Sequence, residues 1–169
     1  MEGEIINKVA NSSLVVFDLE DYYPTEPRVL IDISQFLHEG FILKEKDFRT
    51  ALQEKDWSVY KDQLVGIICS TDAILPSWAF MLVSSYVQPF AKLVVQGSLQ
   101  TLDITYYQNV IDQLDFSSYQ DKPVIIKGCS KKPIPEEGYV MATQKMMNYA
   151  RSIMFGEACS AVPIFKKKK

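Results

Sequence analysis

The sequence predicts an α/β protein whose mainly parallel sheet carries helices on its faces. Three observations predict it. From residue 57 onward, short β-branched runs alternate with helical stretches, an order that implies crossover connections. Those runs are apolar almost throughout, as strands covered on both faces are. Two duplicated β-α-β units, residues 57–98 and 116–157, make up about half of the chain.

The elements follow in order. Residues 14–19 (LVVFDL) and 29–33 (VLIDI) read as strands, separated by the loop 20–28 (EDYYPTEPR) with its two prolines. Nine residues are too few for a helical crossover, so the spacing predicts an N-terminal antiparallel strand pair. A turn at 34–40 leads to an amphipathic helix over 44–55, with Phe48, Ala51 and Leu52 on one face. Residues 1–56 thus hold a strand pair and a helix. The strand 64–69 (LVGIIC) precedes a helix over 73–90 that carries Ile74, Trp78, Met81 and Leu82 at helical spacing. Then come strand 92–96 (KLVVQ), a helix near 101–114, strand 123–127 (PVIIK), a helix over 136–150 and a last strand 152–155 (SIMF).

The repeat is visible at a shift of 59 residues. Trp57-Ser58, Tyr60 and Asp62 recur as Phe116-Ser117, Tyr119 and Asp121. Val65 and Ile67 recur as Val124 and Ile126, and Pro76 as Pro135. Cys69-Ser70 and Ile74 recur as Cys129-Ser130 and Ile134 after one inserted residue. Phe90-Ala91-Lys92 and Gly97 recur as Tyr149-Ala150-Arg151 and Gly156. Any two β-α-β units share apolar strands, but that does not account for the Ser-x-Tyr-x-Asp and Cys-Ser pairs. Duplication of one supersecondary unit does.

A length of 169 residues suits a single α/β domain, 1–169, with a sizeable core. A net charge of −3 supplies no field for nucleic acid, so no nucleic-acid partner is expected. The four lysines at 166–169 read as a solvated tail, or as a handle for an acidic partner. No stretch reaches the ~18 apolar residues of a membrane span, and residues 1–10 lack the features of a signal peptide. No membrane association is therefore expected. Three cysteines make no disulfide framework, which places the protein in the cytoplasm, where thiols remain reduced.

Cys69 closes one strand, Cys129 follows another, and Cys159 follows the last. In a parallel sheet all three lie beyond the carboxyl ends of their strands, at the edge where open α/β sheets bind ligands. Helix N-termini and Lys127, Lys131 and Lys132 would favour thiolates there. Three converging thiolates suit a metal, either zinc or an iron–sulfur cluster. Three separately buried cysteines are the competing reading, since free cysteine is among the most buried residue types. Whether the chain is an enzyme stays open, with one cysteine as nucleophile the weakest option. The only histidine, His38, reads as a turn residue, Asp72 as a helix cap, and Glu157 as a loop carboxylate or an oxygen ligand. Nucleotide-binding glycine loops are absent from the sequence.

Several strings resemble an uncharacterised bacterial family, domain-of-unknown-function family 2480. They are Asn7-Lys8-Val9-Ala10-Asn11-Ser12, Phe17-Asp18-Leu19-Glu20-Asp21-Tyr22-Tyr23-Pro24, Leu43-Lys44-Glu45-Lys46-Asp47-Phe48-Arg49, Ile126-Lys127-Gly128-Cys129-Ser130, and Met154-Phe155-Gly156-Glu157-Ala158-Cys159-Ser160 with Val162-Pro163. The resemblance implies no activity, cofactor or catalytic residue. It does imply iron–sulfur assembly proteins as partners, and so points to an accessory factor in iron–sulfur cluster or metal handling. The alternative is a non-catalytic interaction domain with buried structural cysteines.

Overall fold

The computed structural model describes residues 14–128, 131–157 and 160–168. The chain divides into two compact units, Pro24–Tyr106 and a second formed by Met1–Tyr23 with Tyr107–Lys169. The described strands form two sheets, where the sequence suggested one. Both are mainly parallel, and each belongs to one unit.

The unit Pro24–Tyr106 holds β2 (Arg28–Asp32), α1 (Glu45–Glu54), β3 (Leu64–Ile68), α2 (Ser77–Val87) and β4 (Leu93–Gln96). Its sheet runs β2-β3-β4, all parallel, with Arg28 opposite Leu64 and Leu64 opposite Leu93. The helices bury Phe48, Leu52, Ala79, Val83 and Val87 in one core with Ile31, Ile33, Val65 and Ile67. Trp57 closes that core, its indole N–H donating to the Leu52 carbonyl at 2.8 Å. Gly66 is required by close approach: a Cβ there would lie 2.7 Å from both the Gly97 carbonyl oxygen and Leu30 Cδ2.

The other unit holds β1 (Val15–Phe17), β5 (Pro123–Ile126), α4 (Glu136–Met146), β6 (Ser152–Glu157) and β7 (Ser160–Lys166). Its sheet runs β1-β5-β6-β7, parallel except that β7 is antiparallel to β6. The unit boundary falls within α3 (Leu99–Gln113), whose Tyr107 and Ile111 are buried in this unit's share. Phe17, Phe116, Tyr119 and Tyr22 form an aromatic cluster with centroids 5.6–5.9 Å apart.

Several expectations are corrected. The N-terminal antiparallel pair does not form, because β1 pairs in parallel with β5 and β2 in parallel with β3. A short connection excludes a crossover within one sheet, but not a passage from one sheet to another, and residues 18–27 make that passage. The helix expected over 73–90 begins only at Ser77, with Pro76 at its N-cap. Proline disfavours helical backbone in the residue before it. Ile74 therefore stands 97% exposed in a loop rather than on a helical face. Residues 160–166 form a strand that the sequence did not reveal, and Lys166 of the expected tail pairs with Ser152.

Local geometry recurs between the units. Glu54 ends α1 and Gln113 ends α3, again 59 residues apart. An Asp-x-Ser turn follows each helix, the Ser58 N–H bonded to Asp56 at 2.9 Å and the Ser117 N–H to Asp115 at 2.8 Å. Gly97, one residue past β4, and Gly156, within β6, both have positive φ, 144° and 123°, a region that side chains rarely adopt. No helix of the described residues is long and apolar enough to cross a membrane.

Candidate functional site

The carboxyl end of the first parallel strand in each unit carries an aspartate that caps a 3-10 turn. In Pro24–Tyr106, β2 ends at Asp32 and β3 at Ile68, residues that pair across the sheet. The Asp32 carboxylate accepts from the Ser34 N–H at 3.0 Å, the Ser70 N–H at 3.0 Å and the Ser70 hydroxyl at 2.5 Å. Burial pushes its pKa up. The hydrogen bonds from Ser70 and Ser34 favour the charged form more strongly and hold it at about 2. The aspartate thus caps the 3-10 turn Ile33–Phe36 and fastens it to the end of β3.

Cys69 is the first residue after β3. Its free thiol is half-buried and donates to the Thr71 carbonyl at 3.5 Å, with the Thr71 hydroxyl at 3.4 Å. Thr71 in turn donates to the Gly40 carbonyl at 2.7 Å. The thiol is thus part of a polar strand-end loop.

In the other unit, Asp18 follows β1 and caps the 3-10 turn Leu19–Tyr22, accepting from the Glu20 N–H at 2.9 Å. Here the second partner is a cation. Lys127, one residue past β5, places its Nζ 2.6 Å from Asp18 Oδ2. The hydrogen bond to Asp18, with the charges of Asp18, Glu20 and Glu157, holds the Lys127 ammonium above its ordinary pKa against a smaller effect of burial. The Lys131 N–H donates to the Glu20 carboxylate. Lys132 reaches the Glu20 carbonyl at 3.4 Å and lies 5.1 Å from the Tyr23 ring centroid. The three lysines expected beside the thiols thus engage β1 and its turn.

Cys129 and Cys159 lie outside the described residues, so of the three predicted ligands only Cys69 has a described environment. Among the described residues no group of three or more His, Cys, Asp or Glu side chains is arranged to hold a metal. His38 stands on a surface turn, 46% exposed and 3.9 Å from Glu39. Asp72 is exposed and does not cap α2, whose N-cap is Pro76. Glu157 is the last residue of β6, half-buried, and not a loop carboxylate. Sequence reading passed over Asp18 and Asp32. Their signal was present, an acid between apolar neighbours in Phe17-Asp18-Leu19 and again in Ile31-Asp32-Ile33.

A model of one protein family, described as a protein of unknown function (DUF2480), matches residues 3–167. No curated protein and no solved structure matches the chain.

Proposed function

The chain belongs to the DUF2480 family, whose description assigns no chemistry, and from the strand-end sites we propose an accessory protein that handles a metal ion or iron–sulfur cluster through cysteine thiolates. The observation that carries this reading is where the cysteines fall relative to the strands. Cys69 directly follows β3. In sequence, Cys129 comes three residues after β5, and Cys159 two residues after β6. β5 and β6 are adjacent parallel strands with Ile126 opposite Phe155, so the Cys129–Cys159 pair supports the reading most strongly. Carboxyl ends of parallel strands are where α/β sheets take ligands. Zinc or a cluster is the cargo in this reading, and cytoplasmic iron–sulfur assembly proteins are the partners that would deliver or receive it. The recurring geometry of the two units supports descent from one duplicated unit, with the strand-end aspartate kept in both and its partners changed.

Anaerobic purification with metal analysis and a visible spectrum tests the proposal on the wild type and on Cys69→Ser, Cys129→Ser and Cys159→Ser. Bound metal or a charge-transfer band lost in Cys129→Ser and Cys159→Ser is the expected result. Colourless, metal-free wild-type protein overturns it.

One observation favours a second reading. The Cys69 thiol is satisfied by Thr71, as in a structural cysteine, and this suits a non-catalytic interaction domain. That reading expects partner binding to survive replacement of all three cysteines by serine.

A further inference from the structure

The two units differ at one edge. β6 is covered along its length by β7, from Ser152 opposite Lys166 to Glu157 opposite Ser160. β4 stands at the same place in its unit by the shift of 59 residues, yet among the described residues it is an edge strand of its sheet. In the unit of β6, a groove between helix and strand is lined by Ile126, Tyr139, Val140, Thr143 and Phe155, with Ile164 of β7 forming its far wall. Beside β4 the groove is lined by Ile67, Phe80, Met81, Ser84 and Gln96, the residues at the equivalent positions, and it has no such wall. Val94 and Val95 both line it. Successive strand residues point to opposite faces, so this groove opens on the strand's edge. Met81, in its wall, is 69% exposed.

We propose that the β4 edge is a docking site for an extended segment of a partner protein. The segment adds antiparallel to β4, is apolar where it crosses the groove, and ends in a lysine or arginine. Strand addition of this kind draws affinity from main-chain hydrogen bonds and specificity from the side-chain pockets beside them. The cationic end follows from β7. Past Lys166, the Lys167 N–H donates to the Arg151 carbonyl at 2.9 Å, and its Nζ lies 3.9 Å from Asp121. The counterparts of Arg151 and Asp121 are Lys92 and Asp62, and Asp62 holds the same backbone conformation as Asp121. A cation at the end of the added strand would meet the Asp62 carboxylate. A second copy of this chain fits less well. Antiparallel β4–β4 pairing brings Gln96 and Gly97 towards that carboxylate, and β7, the strand with the cationic end, is already paired with β6. The inference is independent of the cysteines.

The acetylated peptide SAVPIFKK, a copy of β7 and Lys167, is the probe, with binding followed by amide shifts of the isotopically labelled full chain. Saturable binding with shifts at Leu93–Gln96 and along α2 is expected. Met81→Glu changes an exposed side chain, so the fold should persist while affinity falls at least about tenfold, roughly 1.4 kcal/mol. Asp62→Asn tolerates the same backbone and should weaken binding, as should the peptide SAVPIFEE. No shift at β4 with millimolar peptide overturns the proposal, and so do shifts confined to β6, which mean displacement of β7. Sedimentation showing a dimer that Met81→Glu dissociates assigns the edge to a second copy and overturns it equally.

Discussion

Asp62 and Asp121 hold the same left-handed backbone, φ 58° and 56°, and each donates its N–H at 3.0 Å, to the Phe90 and Tyr149 carbonyls respectively. Each bond ties the turn before a central strand to the end of a crossover helix. The next strand is tied in alongside, since the Lys92 N–H donates to the Gln63 carbonyl and the Arg151 N–H to the Lys122 carbonyl, both at 2.9 Å. Aspartate is among the few residues other than glycine that visit this conformation routinely.

Replacing either aspartate by valine should therefore destabilise its unit by about 1–2 kcal/mol, the cost of left-handed backbone for an ordinary side chain. Glycine at the same position should be neutral or stabilising. Urea unfolding of the four single variants checks this, and a neutral valine would mean that the turn is not held as described.

Asp32 sets an acid limit on the unit Pro24–Tyr106. Its pKa is depressed to about 2, so its stabilisation is complete above the ordinary value of 3.8 and is lost as pH falls from there towards 2. Ser70→Ala removes the hydroxyl donor and should raise the pKa towards the ordinary value. Carboxyl-carbon NMR titration should show the rise, and the acid-unfolding midpoint should move to higher pH.

Lys127 sets the opposite limit in the other unit. Its raised pKa means that its pairing with Asp18 stabilises below the ordinary lysine value of 10.5 and is lost as pH rises beyond it. Lys127→Met should be less stable than wild type near neutral pH, with the gap closing above pH 10.5 and shrinking at high salt. Equal stability at neutral pH would leave Asp18 acting as a turn cap alone.

Tyr107 and Phe48 occupy equivalent buried positions in α3 and α1, but only the tyrosine has a polar task. Its hydroxyl donates to the Leu19 carbonyl at 3.2 Å. Tyr107→Phe leaves a buried carbonyl without that donor and should cost about 1–3 kcal/mol. Phe48→Ala opens a cavity and should cost about 3–5 kcal/mol. Thermal unfolding of both variants measures the difference.

Much of this was legible in the residues. Local patterns determined the order of strands and helices over residues 57–155, because apolar period and proline positions act over a few residues. The self-comparison located Asp62 and Asp121, Gly97 and Gly156, and Ser58 and Ser117, since each of these positions answers a local backbone demand, while the aspartates that Ser58 and Ser117 bond appeared only in the structure. Other features were not local. The partner of β1 lies more than a hundred positions away in β5, and loop length cannot report which sheet receives a strand. β7 was hidden because Pro163 and the lysines mask its strand character, which pairing with β6 alone provides. The sequence by itself therefore determined that this protein is α/β, with thiols placed after strands. Only the tertiary structure decided that the strands form two sheets, that Asp18 meets Lys127 while Asp32 meets Ser70, and that β7 covers β6 while β4 remains an edge. Those outcomes depend on contacts between residues far apart in the chain, whose free energy no local pattern records.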